Sequence, residues 1–541
     1  MSKSENTVAK LILQQLEAWG VKRIYGVVGD AILGLMDELN QQKAIQFIAV
    51  KHESVAGMMA SAEAKLTGKI GVCTSTMGPG VANLLNGLGD AHMDKAPVLA
   101  ITGQAPTNKI GTDYKQYIDQ QELVKPFASF TSLVSHPDAI TDLLIKAMHT
   151  SLSNGSVSHL SVPKDLFTSI SNAKVREQPT FVRGMSTIQE DQLVDVIKEM
   201  KEAKSPIILA GIGAKNSVDL VDQLSTKWGA GILVSLGAKG YFDDSIQLLM
   251  GGIGQGGNPY AEDLFKSADV VLVVGDTWWP EGYVPKDVTV IQIDQAEVNI
   301  GKEIPTKYGV VGGASEILTH LLKSIPSEQE DSKWISQVVD IKNKWEKEND
   351  EERNNQDVPI HPSRIVKSIE EVIEKDAILS IDTGDVTVWM NRNFKPTNQQ
   401  FLFSGKWRTM GYGLPGALAA KLCYPEKQVL AIVGDGGIEM VLADLLTATR
   451  YELNITVIVF NNHALQMERD KMIVGGYAQE GVDLTNPDFV KIAQACGLKA
   501  YRISDNQQLK HILVEAVNEN SPTLVTIDTA AIVHPETKES K

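Results

Sequence analysis

Short apolar runs alternate with longer stretches whose apolar residues recur every three to four positions, from one end of the chain to the other. That alternation predicts strands interleaved with amphipathic helices, so the expected fold is α/β: three doubly wound domains with mainly parallel sheets. The first block opens with a helical pattern, TVAKLILQQLEAWG, and a short strand, RIYGVV. Further strand-like runs lie at Phe47 to Val50, Ile70 to Thr74 and Val98 to Thr102, and the block closes near SHLSVPKDL. The polar stretch SNAKVREQPTFVRGMSTIQED reads as a linker. After it come the runs PIILA, ILVS, VVLVVG and VTVIQID. A second polar, charged stretch, SEQEDSKW with KNKWEKENDEERNNQD, reads as a helix plus linker whose charges face water. The last block carries AILSID, VLAIVGD, ITVIVFNN and TLVTID. Domains are thus expected over residues 1–175, 188–328 and 358–541.

Composition narrows the class. Apolar residues at 43% and charged residues at 22% suit a water-soluble globular chain. A net charge of −16 opposes sequence-independent binding to nucleic acid, which needs a basic surface. Cys73, Cys423 and Cys496 are scattered and odd in number, with neither metal-site spacing nor a disulfide framework, so a reducing, cytoplasmic setting is expected. The polar N-terminus MSKSENTVAK has no apolar signal core, and no apolar run approaches the roughly 18 to 20 residues that span a bilayer.

The candidate chemistry sits at strand ends. The run QVLAIVGD passes into Gly434, Asp435, Gly436 and Gly437 and then a helix, and the next strand ends in Asn461 and Asn462. Both ends should lie at the carboxyl edge of one parallel sheet, where α/β folds bind ligands. Asp435 and Asn462 are 27 positions apart, about one strand–helix–strand unit, so both side chains can converge. A carboxylate, an amide oxygen and a loop carbonyl suit magnesium, which takes its remaining ligands from phosphate and water. Glycines there let backbone N–H groups approach a diphosphate at a helix N-terminus. For a lone GDG, a glycine turn capping a helix would be the simpler account; the Asn-Asn strand end shifts the balance.

This pair of motifs resembles the signature of thiamine-diphosphate enzymes. FIAVKHESVAGMMASAEAKLTGKIGV around Glu53, YGVVGDAILGL around Gly29 and Asp30, and STMGPGVANLLNGLGDAHMDKAPVLAITGQ resemble other segments of that family. The resemblance implies Asp435, Asn462 and the Ala464 carbonyl as magnesium ligands. It implies Glu53 as the catalytic carboxylate that hydrogen-bonds the cofactor's aminopyrimidine and promotes deprotonation at thiazolium C2. In KWRTMGYGLPGA it implies Met410 as the apolar prop that bends the cofactor, the Arg408 carbonyl as acceptor from the 4′-amino group, and Thr409 beside them. Alone, Glu53 would read as an acid at a helix start, and Met410 as a core methionine. In the family the site lies between two chains, so a homodimer is the minimum expected assembly and a homotetramer is the expected complete one.

The resemblance covers essentially the whole chain and is nearest to pyruvate oxidases and quinone-linked pyruvate dehydrogenases, through EAWGVKRIYGV, KLTGKIGVC, VLAIVGDGGIEMVLADLLTA, VGGY and FVKIAQACG. It implies FAD in the middle domain at Gly211, Gly213, Gly252, Gly254, Gly275, Asp276, Thr277 and Asp294. The implied reaction is oxidative decarboxylation of pyruvate or a related 2-oxo acid to acetate or acetyl phosphate, with electrons passed to oxygen or a quinone. An acetolactate-synthase-type carboligase and a non-oxidative decarboxylase are alternatives within the family; a non-catalytic nucleotide-binding relative is a third. Three places depart from the family pattern. Lys115, beside Gln116 in GTDYKQYIDQQEL, stands where the family has an aromatic near substrate. Gln466, Met467 and Lys471 replace a glycine–aromatic pair and a glutamate, and Gly313 replaces an acid. Lys115, Gln116 and Met467 are the candidate substrate contacts. Quinone-reducing relatives carry a further C-terminal segment that binds membranes, whereas here TLVTID leads into the polar tail HPETKESK, so docking by that route is not expected.

Overall fold

The computed structural model describes residues 6–180, 190–280, 288–326, 332–535 and 537. Three six-stranded parallel sheets account for the three blocks, as expected from the alternating pattern. The first contains β1 (Arg23–Gly26), β2 (Gln46–Ala49), β3 (Gly71–Ser75), β4 (Val98–Gln104), β5 (Ala128–Leu133) and β6 (Val157–Pro163). The second contains β7 (Pro206–Ala210), β8 (Gly231–Val234), β9 (Leu249–Gly252), β10 (Val270–Val274), β11 (Thr289–Asp294) and β12 (Tyr308–Val311). The third contains β13 (Ile378–Ile381), β14 (Gln400–Leu402), β15 (Val429–Gly434), β16 (Thr456–Asn461), β17 (Lys499–Ile503) and β18 (Thr523–Asp528).

The outer two sheets share one topology, β2-β1-β3-β4-β6-β5 and β14-β13-β15-β16-β18-β17, while the middle sheet runs β12-β11-β10-β7-β8-β9. The central strands are apolar along their whole length, because helices cover both faces of a parallel sheet. VVLVV in β10 and VLAIV in β15 are buried throughout. Strand order reverses between β7 and β10 in the middle sheet and between β13 and β15 in the third. Crevices open at such points beyond the carboxyl ends of the strands.

The first and third domains dock through helices made of small residues. Helix Glu53–Thr67 and helix Gly413–Cys423 are rich in alanine and glycine and nearly all buried, and they share one apolar core. Small side chains let helix axes approach closely. At the crossing of helix Glu53–Thr67 with helix Pro79–Met93, a Cβ on Gly87 would lie 2.5 Å from the Gly57 backbone, so no larger residue fits.

In the charged run KNKWEKENDEER, Lys344, Lys347, Asp350 and Glu351 are exposed as expected, but another face of the run is buried. The run belongs to helix Lys333–Arg353, and Trp345, Asn349 and Arg353 form a buried stripe along it. The Arg392 guanidinium lies 4.7 Å from the Trp345 ring centroid, and Asn393 donates to Asn349 Oδ1 at 2.9 Å. The like-charged residues dominate the composition, but one helical face carries the apolar and amide groups that pack against the third domain. Of the polar stretch between the first two blocks, residues 181–189 lie outside the described residues. Among the described residues no helix is long and apolar enough to cross a membrane.

Candidate active site

Asp435 and Asn462 stand at the carboxyl ends of neighbouring strands. β15 and β16 pair in register with Gly434 opposite Phe460, so the chain leaves both strands at the same level. Asp435 opens the short helix Asp435–Glu439 and is buried. One carboxylate oxygen accepts from the Gly436 N–H at 2.9 Å; the other accepts from the His463 N–H at 2.6 Å and Asn486 Nδ2 at 2.8 Å. His463 holds this contact with a φ of +58°, a left-handed backbone that costs energy in a non-glycine residue. Asn462 Oδ1 accepts from the Ala464 N–H at 3.1 Å, and backbone bonds from Leu465 to Val482 and from Leu484 to His463 pin the loop. Asp435 is thus tied to the turn that carries Asn462 and Ala464 through the His463 N–H.

Three further acids surround this turn. Asp382 and Asp385 follow β13, and Asp470 lies in helix Gln466–Val474. Burial raises the carboxyls of Asp435, Asp470 and Asp385, and Asp470 and Asp435 push Asp385 up further. Burial also lifts Asp382 to about 7, against four backbone N–H donors that pull it down. Asp382 Oδ2 and Asp385 Oδ1 are buried without hydrogen-bond partners. Such uncompensated acid is what a bound cation would relieve. Among the described residues no three His, Cys, Asp or Glu side chains form a metal cage. The candidate set, with one carboxylate, one amide and one carbonyl, fits a magnesium ion that takes its other ligands from a diphosphate and water.

Met410 reaches the same place. Its Cε lies 3.4 Å from where a Cβ on Gly436 would stand, so the two residues pack together. Arg408 has a φ of +52°, and Thr409 Oγ1 accepts from Asn86 Nδ2 at 2.9 Å. Gly434 has open space where a side chain would project, whereas a Cβ on Gly437 would fall 2.3 Å from Asp382 Oδ2.

Glu53 is the first residue of helix Glu53–Thr67, is buried, and accepts from Asn83 Nδ2 at 3.0 Å. Helix Pro79–Met93 thus links two candidate residues within one chain: Asn83 meets Glu53, and one turn later Asn86 meets Thr409. Around Glu53, a Cβ on Gly80 would lie 3.3 Å from its Oε1, a Cβ on Gly78 would lie 2.4 Å from the Gln116 carbonyl, and a Cβ on Gly29 would lie 2.5 Å from Thr76 Cβ. Asp30, next to Gly29, pairs with Lys164 at 3.2 Å and Lys115 at 3.8 Å. Met467 and Lys471 lie on helix Gln466–Val474, where Lys471 pairs with Glu468 at 2.8 Å. Met467 lies in the third domain and Lys115 and Gln116 in the loop after β4 of the first, so these candidates stand on different domains of the chain. Gly313, the other departure, is the N-cap of helix Ala314–Ser324.

In the middle domain, Gly211, Gly213 and Gly275 meet at the β7/β10 crevice. A Cβ on Gly211 would lie 2.4 Å from the Gly275 carbonyl, and one on Gly275 would lie 2.5 Å from Gly213 Cα. Their first task is thus to let two backbone turns touch. Asp276 Oδ1 accepts from the Trp278 N–H at 2.9 Å, while its Oδ2 is buried without a partner. Thr277 is half-buried beside it. Asp294 Oδ1 is occupied by its own loop, through the Ala296 N–H and Asn299 Nδ2, both at 2.8 Å. Gly252 and Gly254 sit at the far edge, beyond β8: Gly252 faces Asn391, and Gly254, with a φ of +88°, lies by Trp278.

Sequence reasoning missed Asp382, Asp385, Asp470 and Asn486. Asp385 had a signal, since IDTGD repeats the strand–glycine–acid pattern of VGDGG. Asp470 and Asn486 have none, because they arrive from a helix and a loop that only folding brings to the β15 edge.

The crevices, the Asp435–Asn462 turn and the buried Glu53 define a diphosphate-cofactor enzyme built from three α/β domains. Three family models match in the same order: the N-terminal thiamine pyrophosphate-binding domain over residues 6–123, the central domain over 193–321 and the C-terminal thiamine pyrophosphate-binding domain over 382–527. The chain belongs to the thiamine pyrophosphate enzyme family. It is 37% identical to a Bacillus subtilis protein, YdaP, named as thiamine pyrophosphate-containing, over 97% of this chain and 92% of that one. It is 30% identical to pyruvate oxidase of Lactiplantibacillus plantarum, over 95% and 87% of the two chains. It is 29% identical to the acetolactate synthase large subunit of Lactococcus lactis, over 96% and 92%.

Proposed function

We propose that this enzyme carries out the oxidative decarboxylation of pyruvate or a related 2-oxo acid, using thiamine diphosphate, magnesium and FAD. With water as acceptor, pyruvate and water give acetate, carbon dioxide, two protons and two electrons; with phosphate in place of water, the product is acetyl phosphate. A bound FAD would take up those two electrons and supply them to oxygen or a quinone. The observation that carries the reading is the presence of two glycine-lined strand-end sites in one chain. One is the Asp435–Asn462 turn with its surrounding acids, and the other is the β7/β10 crevice with the unpartnered Asp276 Oδ2.

Asp435, Asn462 and the Ala464 carbonyl would hold the metal, and the backbone of the Gly436–Gly437 turn would lie against the diphosphate. Bound thiamine diphosphate supplies an electron sink for the electrons left when carbon dioxide departs. Glu53, whose buried carboxylate accepts from Asn83, would serve as the acid–base group facing the cofactor. Met410, packed beside Gly436, would shape the apolar wall of the cofactor site. A homodimer is the proposed minimum unit, a tetramer of this chain its full form, and the cytoplasm its compartment, in keeping with three free cysteines.

A carboligase of the acetolactate-synthase type is the second reading, favoured by an identity to such a synthase nearly equal to that with pyruvate oxidase. An absorption spectrum of the purified protein before and after anaerobic pyruvate separates the two. A flavin band that bleaches is expected. A colourless protein, or a flavin that pyruvate leaves oxidised while acetolactate accumulates, overturns the oxidative reading. Glu53→Gln should lower turnover at least about a hundredfold, as removal of a general acid–base group does.

A further inference from the structure

The first-domain face beside Glu53 carries an unusual charge arrangement. Lys164, just after β6, and Lys115, in the loop after β4, both point an ammonium at the same oxygen, Asp30 Oδ2, at 3.2 and 3.8 Å. Two cations share one acid, leaving the trio with a net positive charge on a chain of net charge −16. The neighbouring Asp165 keeps its own charge but is engaged by Thr107, whose N–H and hydroxyl donate to its two oxygens at 2.9 and 2.6 Å.

The trio stays open to solvent; the side chains of Lys115, Asp30 and Lys164 are 66%, 45% and 33% exposed. Surface lysines usually point into water, but this loop is held in place. Gln116 has a φ of +61°, and its carbonyl is pressed so close to Gly78 that a Cβ there would lie 2.4 Å away. Gly80, two residues on, borders Glu53 Oε1. Asp30 is tied to the same surface, because the Ala31 N–H donates to Thr76 Oγ1 at 3.3 Å. Glu53, Thr76, Gly78, Gln116 and Lys115 therefore form one continuous face, with a strained non-glycine residue where the loop meets it.

We propose that Lys115 and Lys164 form an oxyanion-binding site beside Glu53, which holds either a second anionic group carried by the 2-oxo acid or free inorganic phosphate acting as the acyl acceptor. The site rests on the 2-oxo acid reading above. Two ammoniums that share a half-exposed carboxylate can each turn to an incoming anion at little cost, with Asp30 holding them apart until it arrives. A monoanionic 2-oxo acid uses its one carboxylate at the reacting end and leaves this pair unused.

The test uses the whole protein loaded with thiamine diphosphate and magnesium. Calorimetric titration with inorganic phosphate and with succinate, against acetate as control, should show binding of the first two, weakened about tenfold or more by Lys115→Gln or Lys164→Gln and retained by Lys115→Arg. Both lysines are exposed, so the variants should melt with the unaltered chain. Turnover then separates the sources. If the group belongs to the substrate, 2-oxoglutarate should exceed pyruvate in kcat/KM, and Lys115→Gln should erase that preference. If it is phosphate, Lys115→Gln should raise the KM for phosphate with pyruvate as substrate and reduce acetyl phosphate yield. Equal phosphate and succinate binding in all variants, or none in the unaltered chain, overturns the site. Oxyanion binding without carbon dioxide release from any 2-oxo acid overturns the reaction and leaves the site standing.

Discussion

Lys65 ties the first domain to the third, and replacing it with methionine tests how that dock is held. Its ammonium donates to Asp90 at 2.8 Å, to Asp94 at 2.7 Å and to the Phe403 carbonyl at 3.1 Å, and it lies 4.6 Å from the Tyr412 ring centroid. Burial works against the charged form, yet Asp90, Tyr412 and Asp94 outweigh it and hold Lys65 above the usual lysine range. Methionine keeps most of the apolar stem and removes the charge. Asp90, whose side chain is 0% exposed, then keeps only the Ser61 hydroxyl at 2.6 Å. Breaking a buried pair from one side costs about 3–5 kcal/mol. The lower end applies here because Asp94 is partly exposed and is also held by the Gly405 and Lys406 N–H groups. For a cooperative unit of one domain's size, about 3 kcal/mol lowers Tm by roughly 6–12 °C. The same change loosens residues 404–410, which carry Thr409 and Met410, so thiamine diphosphate should also bind more weakly. Circular-dichroism melts of Lys65→Met, Asp90→Asn and the double variant give the coupling, expected to be at least about 1 kcal/mol. A Lys65→Met melt within about 2 °C of the unaltered chain, or two costs that simply add, would refute the reasoning.

His159 is buried with both ring nitrogens against hydroxyls, Thr102 at 2.8 Å and Thr131 at 2.9 Å, and burial drops its pKa to about 3. Its unfolded value is near 6.5, so the unfolded chain binds the extra proton: the stability contribution is full above pH 6.5 and is lost as pH falls towards 3, at up to about 1.4 kcal/mol per pH unit. Urea melts across that window should show the slope, and His159→Gln should flatten it; parallel slopes would exclude the assignment. Gly437→Ala forces a Cβ to 2.3 Å from the buried Asp382 Oδ2, so thiamine diphosphate affinity should fall at least about tenfold while the melt of the cofactor-free protein moves less; unchanged affinity by fluorescence titration would count against this site. Removing divalent metal with a chelator should abolish turnover, with recovery on adding magnesium, and Asp435→Ala should not recover. His534, buried near the chain end, packs its ring on Trp389 at 4.6 Å and gives its N–H to Asp470 at 2.9 Å. His534→Ala keeps that backbone N–H but removes the ring packing on Trp389 that positions it, so helix Gln466–Val474 should show faster amide exchange; exchange that stays unchanged would show that the ring does not hold the helix.

Much of the fold was legible because central strands of parallel sheets must be apolar on both faces. PIILA, VVLVVG, VLAIVGD and ITVIVFNN therefore announce β7, β10, β15 and β16 to within a residue or two. Edge strands lack that constraint. β5, β12 and β17 (ASFTSL, YGVV and KAYRI) are only partly buried, so no apolar run marks them, and β14 is only three residues long. The charged helix Lys333–Arg353 misleads for a related reason: composition averages over a helix, whereas packing concerns one face of it.

The sequence by itself determined which side chains stand at strand ends. Glycine–acid and Asn-Asn endings are local, and strand–helix–strand spacing places Asp435 and Asn462 at one sheet edge. Only the tertiary structure decided what surrounds them. Asp385, Asp470 and Asn486 reach the turn from three separate elements, and their convergence on Asp435 depends on chain paths that no local pattern records. Likewise, Lys115 is one exposed lysine in the sequence. Its meaning comes from Lys164, 49 positions away, aimed at the same oxygen of Asp30.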